Sequence, residues 1–368
     1  MSRLLSERRR PRTDSPRLFG SAAAVLTLAI AALAAGPAGA VVYPNLYSVS
    51  VEPDPAVSAS QAEAEAAAMR RLLVRITGNR NAPADPALQG MIEGASSFVQ
   101  SYAYLGEQGA QVVFYPNLVD GELASLNQPV WGPERPLTLI WVAIDAGLGE
   151  RMLLSANATE AEQSPETAEL AERIRTTLQT AAEERGLPIA LPLLDLEDLN
   201  RISVAEVWGV FDDEILAASA RYGADAVLVG RVRVTAFGES VQWVLLRGDE
   251  RRSFAGAGDV AEGLHWLADT FARDFSVLGG ARPVRIVVHD VASFADYGRV
   301  MSYLEGLSAL QTIDVESLDG DLLSLRASAR GDVGVLERML TLGRVLSLDE
   351  AAAGRGAAAN TLVLRVAR

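Results

Sequence analysis

The sequence predicts an α+β fold with several domains, in which helices pack on mixed and antiparallel sheets. Short stretches of alternating apolar and polar residues, typical of strands, are interspersed with stretches whose apolar residues recur every three or four positions, typical of helices. The length of 368 residues exceeds that of one ordinary domain. The C-terminal quarter reads strand–helix–strand–strand–helix–strand, which is the order of a ferredoxin-like βαββαβ module.

The predicted domain boundaries follow the breaks between these stretches. A small, polar segment and the pair Gly279-Gly280 mark two of the breaks. The boundaries give a signal peptide at 1–40, an N-terminal α+β domain at 41–147, a linker at 148–165, a middle α/β domain at 166–280 and a C-terminal ferredoxin-like domain at 281–368.

The first 40 residues predict a secretory signal peptide. Six arginines precede the apolar stretch SAAAVLTLAIAALAAG, which is followed by the small-residue site Ala38-Gly39-Ala40. This arrangement is typical of a signal peptide, so we expect cleavage after Ala40 and a periplasmic protein. The alternative is a retained anchor. The apolar stretch is shorter than the about 20 residues that a spanning helix needs, so we expect no stable membrane span after cleavage.

The N-terminal domain carries clear helix signals. Ser60 and Glu63 have the spacing of a capping box, and Gly78 is suited to end the helix that they begin. The proline after Asp85 predicts a second helix, whose apolar face extends to Tyr102. The other predicted elements are strands at 46–52 and 109–116 and a short helix at 119–127.

The stretch PVWGPERPLTLIWVAID at 129–145 predicts an arm that leads into a central strand. Residues 138–145 have apolar side chains on both faces, which is typical of a strand covered on both sides. The three prolines before it exclude a helix and favour extended backbone.

The middle and C-terminal domains alternate helices and strands. The acidic first turn at 212–214 suits the positive end of a helix, and Gly223 is suited to end that helix. Asp319-Gly320 predicts a hairpin turn. The predicted helices are at 165–186, 211–223, 259–278, 293–308 and 332–342, and the predicted strands are at 187–195, 224–234, 240–247, 251–257, 284–290, 312–318, 322–328 and 344–348, with 361–367 as a candidate for one more.

Composition excludes several kinds of chemistry. The chain has no cysteine and no lysine, which excludes disulfides, thiolate nucleophiles, Schiff bases and the lysine of a phosphate-binding P-loop. After residue 40 the chain has 27 arginines and 45 acidic residues, a net charge of −18. Such a charge repels phosphate backbones, so we expect no nucleic-acid partner.

The residues that usually carry catalysis form no recognisable constellation. His265 has the setting of a structural helix residue, and His289 beside Asp290 has no serine in a nucleophile elbow to act on. The acidic clusters at 195–198 and 212–214 favour helix starts, with a divalent cation at the first as the alternative. We therefore expect no enzyme activity, no cofactor and no metal site.

The five tryptophans are spread along the chain and favour core or domain-contact roles. On this interpretation the arm is structural, with Trp131 packed and Arg135 paired. The alternative is a ligand or partner groove that involves Trp131, Arg135, Trp141 and Trp208.

Several segments resemble the bacterial family catalogued as domain of unknown function 2066. They are LYSVSV, LLVRITGNR, SFVQSYAY, PVWGPERPLTLIWVAID and LPLLDLEDLNRIS…VWGVFDDEILAASARYGADAVLVGRV, within residues 46–348. The resemblance implies an N-terminal signal and a Gram-negative envelope location, and it assigns no catalytic residues. The segment YGADAVLVG is also similar to non-catalytic periplasmic modules of the curli pore, the Tol propeller protein and flagellar-ring accessory proteins.

These observations favour a non-catalytic periplasmic protein that assists envelope assembly or binds an envelope protein partner. The second hypothesis is a periplasmic small-ligand binding protein with a pocket near the arm. The third is a hydrolase that uses carboxylates alone.

Overall fold

The computed structural model describes residues 43–52, 60–106, 109–147, 150–157, 164–235, 238–256, 258–349 and 360–367. The predicted signal peptide and its cleavage site lie outside these residues. Within the described ranges, no helix has the length and apolar character needed to cross a membrane. The fold is α+β with three mixed or antiparallel sheets, as predicted.

The N-terminal sheet has three antiparallel strands in the order β1-β3-β2. Helix α1 packs on the face that carries the buried side chains of Val112 and Phe114, and Gln111 lies on the opposite face. The elements are β1 (Ser48–Val51), α1 (Gln61–Thr77), α2 (Gln89–Glu93), β2 (Val99–Tyr104), β3 (Ala110–Phe114) and α3 (Pro116–Ser125).

The capping box that begins α1 is confirmed, and Gly78 ends the helix in the left-handed conformation. The predicted second helix is wrong in its length. Only α2 and short 3₁₀ turns form, and residues from Val99 onward pair as β2 with β3. Gly94 and the serines after it are weak helix formers, and sheet pairing overrides the helical spacing.

The middle sheet is covered on both faces by helices. Its path is β5-β4-β7-β8-β9, and the short β6 also pairs with β4. Strands β4 and β7 are parallel, and β7, β8 and β9 are antiparallel. The elements are β4 (Thr138–Gly147), β5 (Glu150–Leu153), α4 (Pro165–Arg185), β6 (Ile189–Ala190), α5 (Leu196–Arg201), α6 (Val204–Gly209), α7 (Asp212–Ser219), β7 (Ala226–Thr235), β8 (Gly238–Arg247), β9 (Glu250–Gly256) and α8 (Ala261–Phe275).

The predicted position of β4 at the centre of a sheet is confirmed. Ile140, Val142 and Ile144 pack with α4 and α8, whereas Leu139 and Trp141 pack with α6 and α7. This strand of the first predicted domain therefore pairs with strands of the second, and β5 falls within the range predicted as a linker. The domain boundaries themselves stay predictions.

The C-terminal sheet has the order β11-β12-β10-β14-β13. The predicted order of elements is confirmed, but the plain ferredoxin-like pairing needs correction, because β14 inserts parallel to β10 and separates it from β13. Leu362, Leu364 and Val366 of β14 are buried, which stabilises this central position. The elements are β10 (Arg282–His289), α9 (Phe294–Glu305), β11 (Leu310–Asp319), β12 (Leu322–Ala329), α10 (Val333–Leu340), β13 (Leu346–Leu348) and β14 (Thr361–Val366).

Candidate interaction surface

The arm predicted before β4 is held by a buried arginine. The guanidinium of Arg135 is fully buried and donates five hydrogen bonds of 2.8–3.1 Å to backbone carbonyls. The acceptors are Gly132, Trp131, Arg75, Arg185 and Gly186. Three of these carbonyls lie at the C-terminal ends of α1 and α4, where carbonyls lack helical partners and the helix dipole is negative. Arg135 therefore joins the arm to two helix ends.

The same guanidinium lies 3.8 Å from the centre of the Trp131 ring, so the structure brings these two predicted residues together. Burial lowers the pKa of Arg135 to about 9, and the side chain is charged at neutral pH. Trp131 also meets Phe271 of α8 edge to face. Both side chains are enclosed, so a ligand would reach them only after the surrounding segments moved.

The other two predicted residues lie on the opposite side of the middle sheet. Trp141 is buried and its indole N–H donates to Ser219 Oγ at 2.9 Å. Trp208 is half-buried, and the guanidinium groups of Arg151 and Arg233 lie over its ring at 4.7 and 5.3 Å. The four residues do not share one groove, and a ligand at any of them stays a prediction.

A network of charged and polar side chains lies around α5, next to the helices α6 and α7. The side chain of Asp195 begins α5 by accepting the N–H groups of Glu197 and Asp198. The side chain of Asp198 is completely buried, and its Oδ2 accepts the Leu194 N–H at 2.9 Å and the Tyr222 hydroxyl at 2.5 Å. A buried carboxylate needs such donors, and they fix the direction of the helix.

Arg221 completes this network. It donates two hydrogen bonds to Asp195, at 2.7 and 2.9 Å, and a third to Asp198 Oδ1 at 3.1 Å. These hydrogen bonds hold the pKa of Asp195 well below its usual range. Burial, together with Asp198, raises the pKa of Tyr222 to about 12. Arg221 therefore bridges the two carboxylates and leaves the network with one net negative charge.

The network presents three leucines to solvent. With Asp198 pointing inward, Leu193, Leu196 and Leu199 are 45%, 80% and 59% exposed. These three residues form the leucine surface. Helix α5 packs against α7, which adds exposed Phe211 and Leu216 on the same side of the sheet. Several exposed large apolar residues on one side of a domain mark an interaction site more often than scattered single ones do.

Acidic side chains surround the leucine surface. Carboxylates lie at the start of α5, within it and in the first turns of α6 and α7. Three of them are paired with arginines: Glu197 with Arg201 at 3.2 Å, Asp195 with Arg221 at 2.7 Å and Asp212 with Arg251 at 2.8 Å. The acidic residues are Asp195, Glu197, Glu206, Asp212, Asp213 and Glu214. An apolar centre with an acidic rim complements a partner with apolar anchors and basic neighbours.

The two histidines lie in regular secondary structure. Burial lowers the pKa of His265 in α8, and His289 ends β10 next to Asp290. Across the described part of the chain, no group of three or more histidine, aspartate or glutamate side chains is placed to hold a metal ion. The cluster at 195–198 instead caps α5 and binds Arg221.

Comparison with known proteins finds a family match for part of the chain. Residues 40–132 match the family described as Domain of unknown function (DUF8605). This corrects the resemblance to domain of unknown function 2066, because the match is to a different family. No curated protein matches the chain.

One solved structure with a detectable match is the C-terminal domain of LpoB from Salmonella enterica. The sequences are 12% identical, and the match covers 33% of this chain and 80% of the other. Its TM-score of 0.20 is too low to support a shared fold.

Sequence analysis missed the leucine surface as a site. The leucines of LLDLEDLN alternate with acidic residues, and the pattern predicted the start of a helix, which is correct. The burial of Asp198 depends on Arg221 and Tyr222, more than twenty residues further along the chain. The one sequence signal for this network was the segment RYGAD at 221–225, because an arginine next to a tyrosine can donate hydrogen bonds to a distant carboxylate.

Proposed function

We propose that this protein is a non-catalytic interaction module of the bacterial envelope, and that its leucine surface binds an apolar and basic segment of an envelope protein. The observation that carries the proposal is the exposure of Leu196 and Leu199 on α5. The buried side chain of Asp198 holds this helix in place through its hydrogen bonds. A rigid apolar anchor binds with a smaller entropy cost than a mobile one.

The charge around the leucine surface favours a protein over a membrane. The acidic rim and the net charge of −14 for the full sequence repel anionic lipid headgroups. A protein segment with arginines or lysines beside its apolar residues would gain from the same rim. The predicted signal peptide supports an envelope location for that partner.

The test combines crosslinking in cells with measured affinity. A photoreactive amino acid at position 196 identifies the partner by mass spectrometry, and the purified partner is then titrated against wild type and Leu196→Asp. Anchor residues typically contribute 2 kcal/mol or more, so we expect Leu196→Asp to weaken binding by at least about 30-fold.

Leu278→Asp is the matched control, because Leu278 is 52% exposed and lies away from α5. It should bind the partner with the affinity of wild type. The proposal fails if no envelope protein crosslinks at position 196, or if the partner binds Leu196→Asp and wild type equally well.

A further inference from the structure

A cleft lies on the open face of the N-terminal sheet, away from the leucine surface. Its volume is about 650 Å³, within the range of small-ligand sites. The strand β3 turns Val112 and Phe114 toward α1, so Gln111 and Val113, with Ser48 of β1, form the floor of the cleft. Helix α3 forms one wall, and Pro133 of the arm and Arg330 of the C-terminal module form another.

The lining combines apolar side chains, which form the larger part of its surface, with groups that both donate and accept hydrogen bonds. Four carboxamide side chains and two tyrosines contribute to it, and Gln111 donates to Ser48 Oγ at 3.2 Å. These six residues are Asn45, Gln100, Gln111, Asn117, Tyr43 and Tyr47. A carboxamide carries two donor hydrogens and an acceptor oxygen, as a pair of ligand hydroxyls does.

The charged groups of the cleft nearly cancel one another. Asp120 accepts the hydroxyl of Tyr47 at 2.7 Å and has Arg330 at 3.9 Å. The buried carboxylate of Glu134, which lies beyond the lining, already accepts both donors of Ser308. The Nε–H of Arg330 is buried and has no hydrogen-bond partner among the described residues. Neither a strongly anionic nor a strongly cationic ligand is favoured by this balance.

We propose that this cleft binds a neutral saccharide. The carboxamides match the hydroxyl groups of a sugar ring, and the tyrosine rings and the apolar side chains of the lining offer surface to its C–H face. The volume of about 650 Å³ lies within the usual size range of ligand clefts and is large enough for a short oligosaccharide. The site shares no residue with the leucine surface, so the two proposals stand independently.

The test is titration calorimetry of the purified protein with maltotetraose and chitotetraose, and with citrate and spermidine as charged probes. At least one neutral tetrasaccharide should bind, and the charged probes should not. The double variant Gln111→Ala/Asn117→Ala should bind that saccharide about ten-fold more weakly, because two hydrogen-bonding side chains are lost. Both side chains are exposed, so the variant should fold normally.

Gln311→Ala is the control, because Gln311 is an exposed glutamine on β11 that lies outside the cleft. It should leave the affinity unchanged. Three results would overturn the proposal: no heat with either saccharide, binding of citrate or spermidine that the double variant abolishes, or saccharide binding that the double variant leaves intact.

Discussion

At the scale of single residues, Arg135 has a role that no other side chain can fill. Its planar guanidinium satisfies five carbonyls at once, whereas a lysine has three donors on one atom. Arg135→Lys keeps the charge but leaves at least two buried carbonyls without a donor. Each costs about 1–3 kcal/mol, so we expect the free energy of unfolding in urea to fall by roughly 2–5 kcal/mol.

The matched control is Arg70→Lys, on the exposed side of α1. Exposed substitutions away from special contacts change stability by less than about 0.5 kcal/mol. Equal urea midpoints for Arg135→Lys and wild type would show that the five hydrogen bonds contribute little.

At the scale of elements, Asp198 fixes α5 and with it the leucine surface. Asp198→Asn keeps the shape of the side chain but replaces one acceptor oxygen with an NH₂ donor. Leu194, Tyr222 and Arg221 all donate to this side chain, so at least one of them would then face another donor and lose its hydrogen bond. We expect a loss of about 1–3 kcal/mol in stability and faster hydrogen exchange in residues 193–201, measured by mass spectrometry. Partner binding should weaken although no leucine is changed.

Asp213→Asn is the control for this element. Asp213 is exposed in the first turn of α7, where asparagine is tolerated, and exchange in α5 should stay as in wild type. Unchanged exchange in Asp198→Asn would mean that α5 is held by its apolar contacts rather than by the buried carboxylate.

Elements that depend on neighbours in sequence were predictable, and those that depend on distant residues were not. The capping box of Ser60 and Glu63 and the cap of Asp332 act within one helical turn, so the pattern itself contains the information. The alternation of β4 identified a strand with two buried faces. The insertion of β14 beside β10 depends on pairing across more than 70 residues. The same reason explains why the partners of Arg135 and Asp198 could not be assigned.

At the scale of the whole molecule, a buried carboxylate connects the arm to the C-terminal module. Glu134 Oε1 accepts the Ser308 N–H at 2.6 Å, and Oε2 accepts the Ser308 hydroxyl at 2.7 Å. The backbone of Gly132 passes so close that an added Cβ would lie 2.7 Å from Ser308 Oγ. This junction is the feature that we expect to make the described modules unfold together.

Two spectroscopic signals can test that expectation. All five tryptophans lie between residues 131 and 266, so their fluorescence reports on the arm and the middle sheet, whereas far-UV circular dichroism reports on every module. The two urea curves should coincide in wild type. In Glu134→Ala, the Ser308 N–H loses its acceptor, at a cost of about 1–3 kcal/mol.

The curves of Glu134→Ala should therefore separate, with part of the dichroism lost at lower urea than the fluorescence change. Glu305→Ala, an exposed carboxylate at the end of α9 in the same module, should leave the curves coincident. If Glu134→Ala unfolds with coincident curves, the modules must be coupled through other contacts, such as the packing of α10 against α8. In that case the buried carboxylate would fix the direction of the arm rather than the cooperativity of the fold.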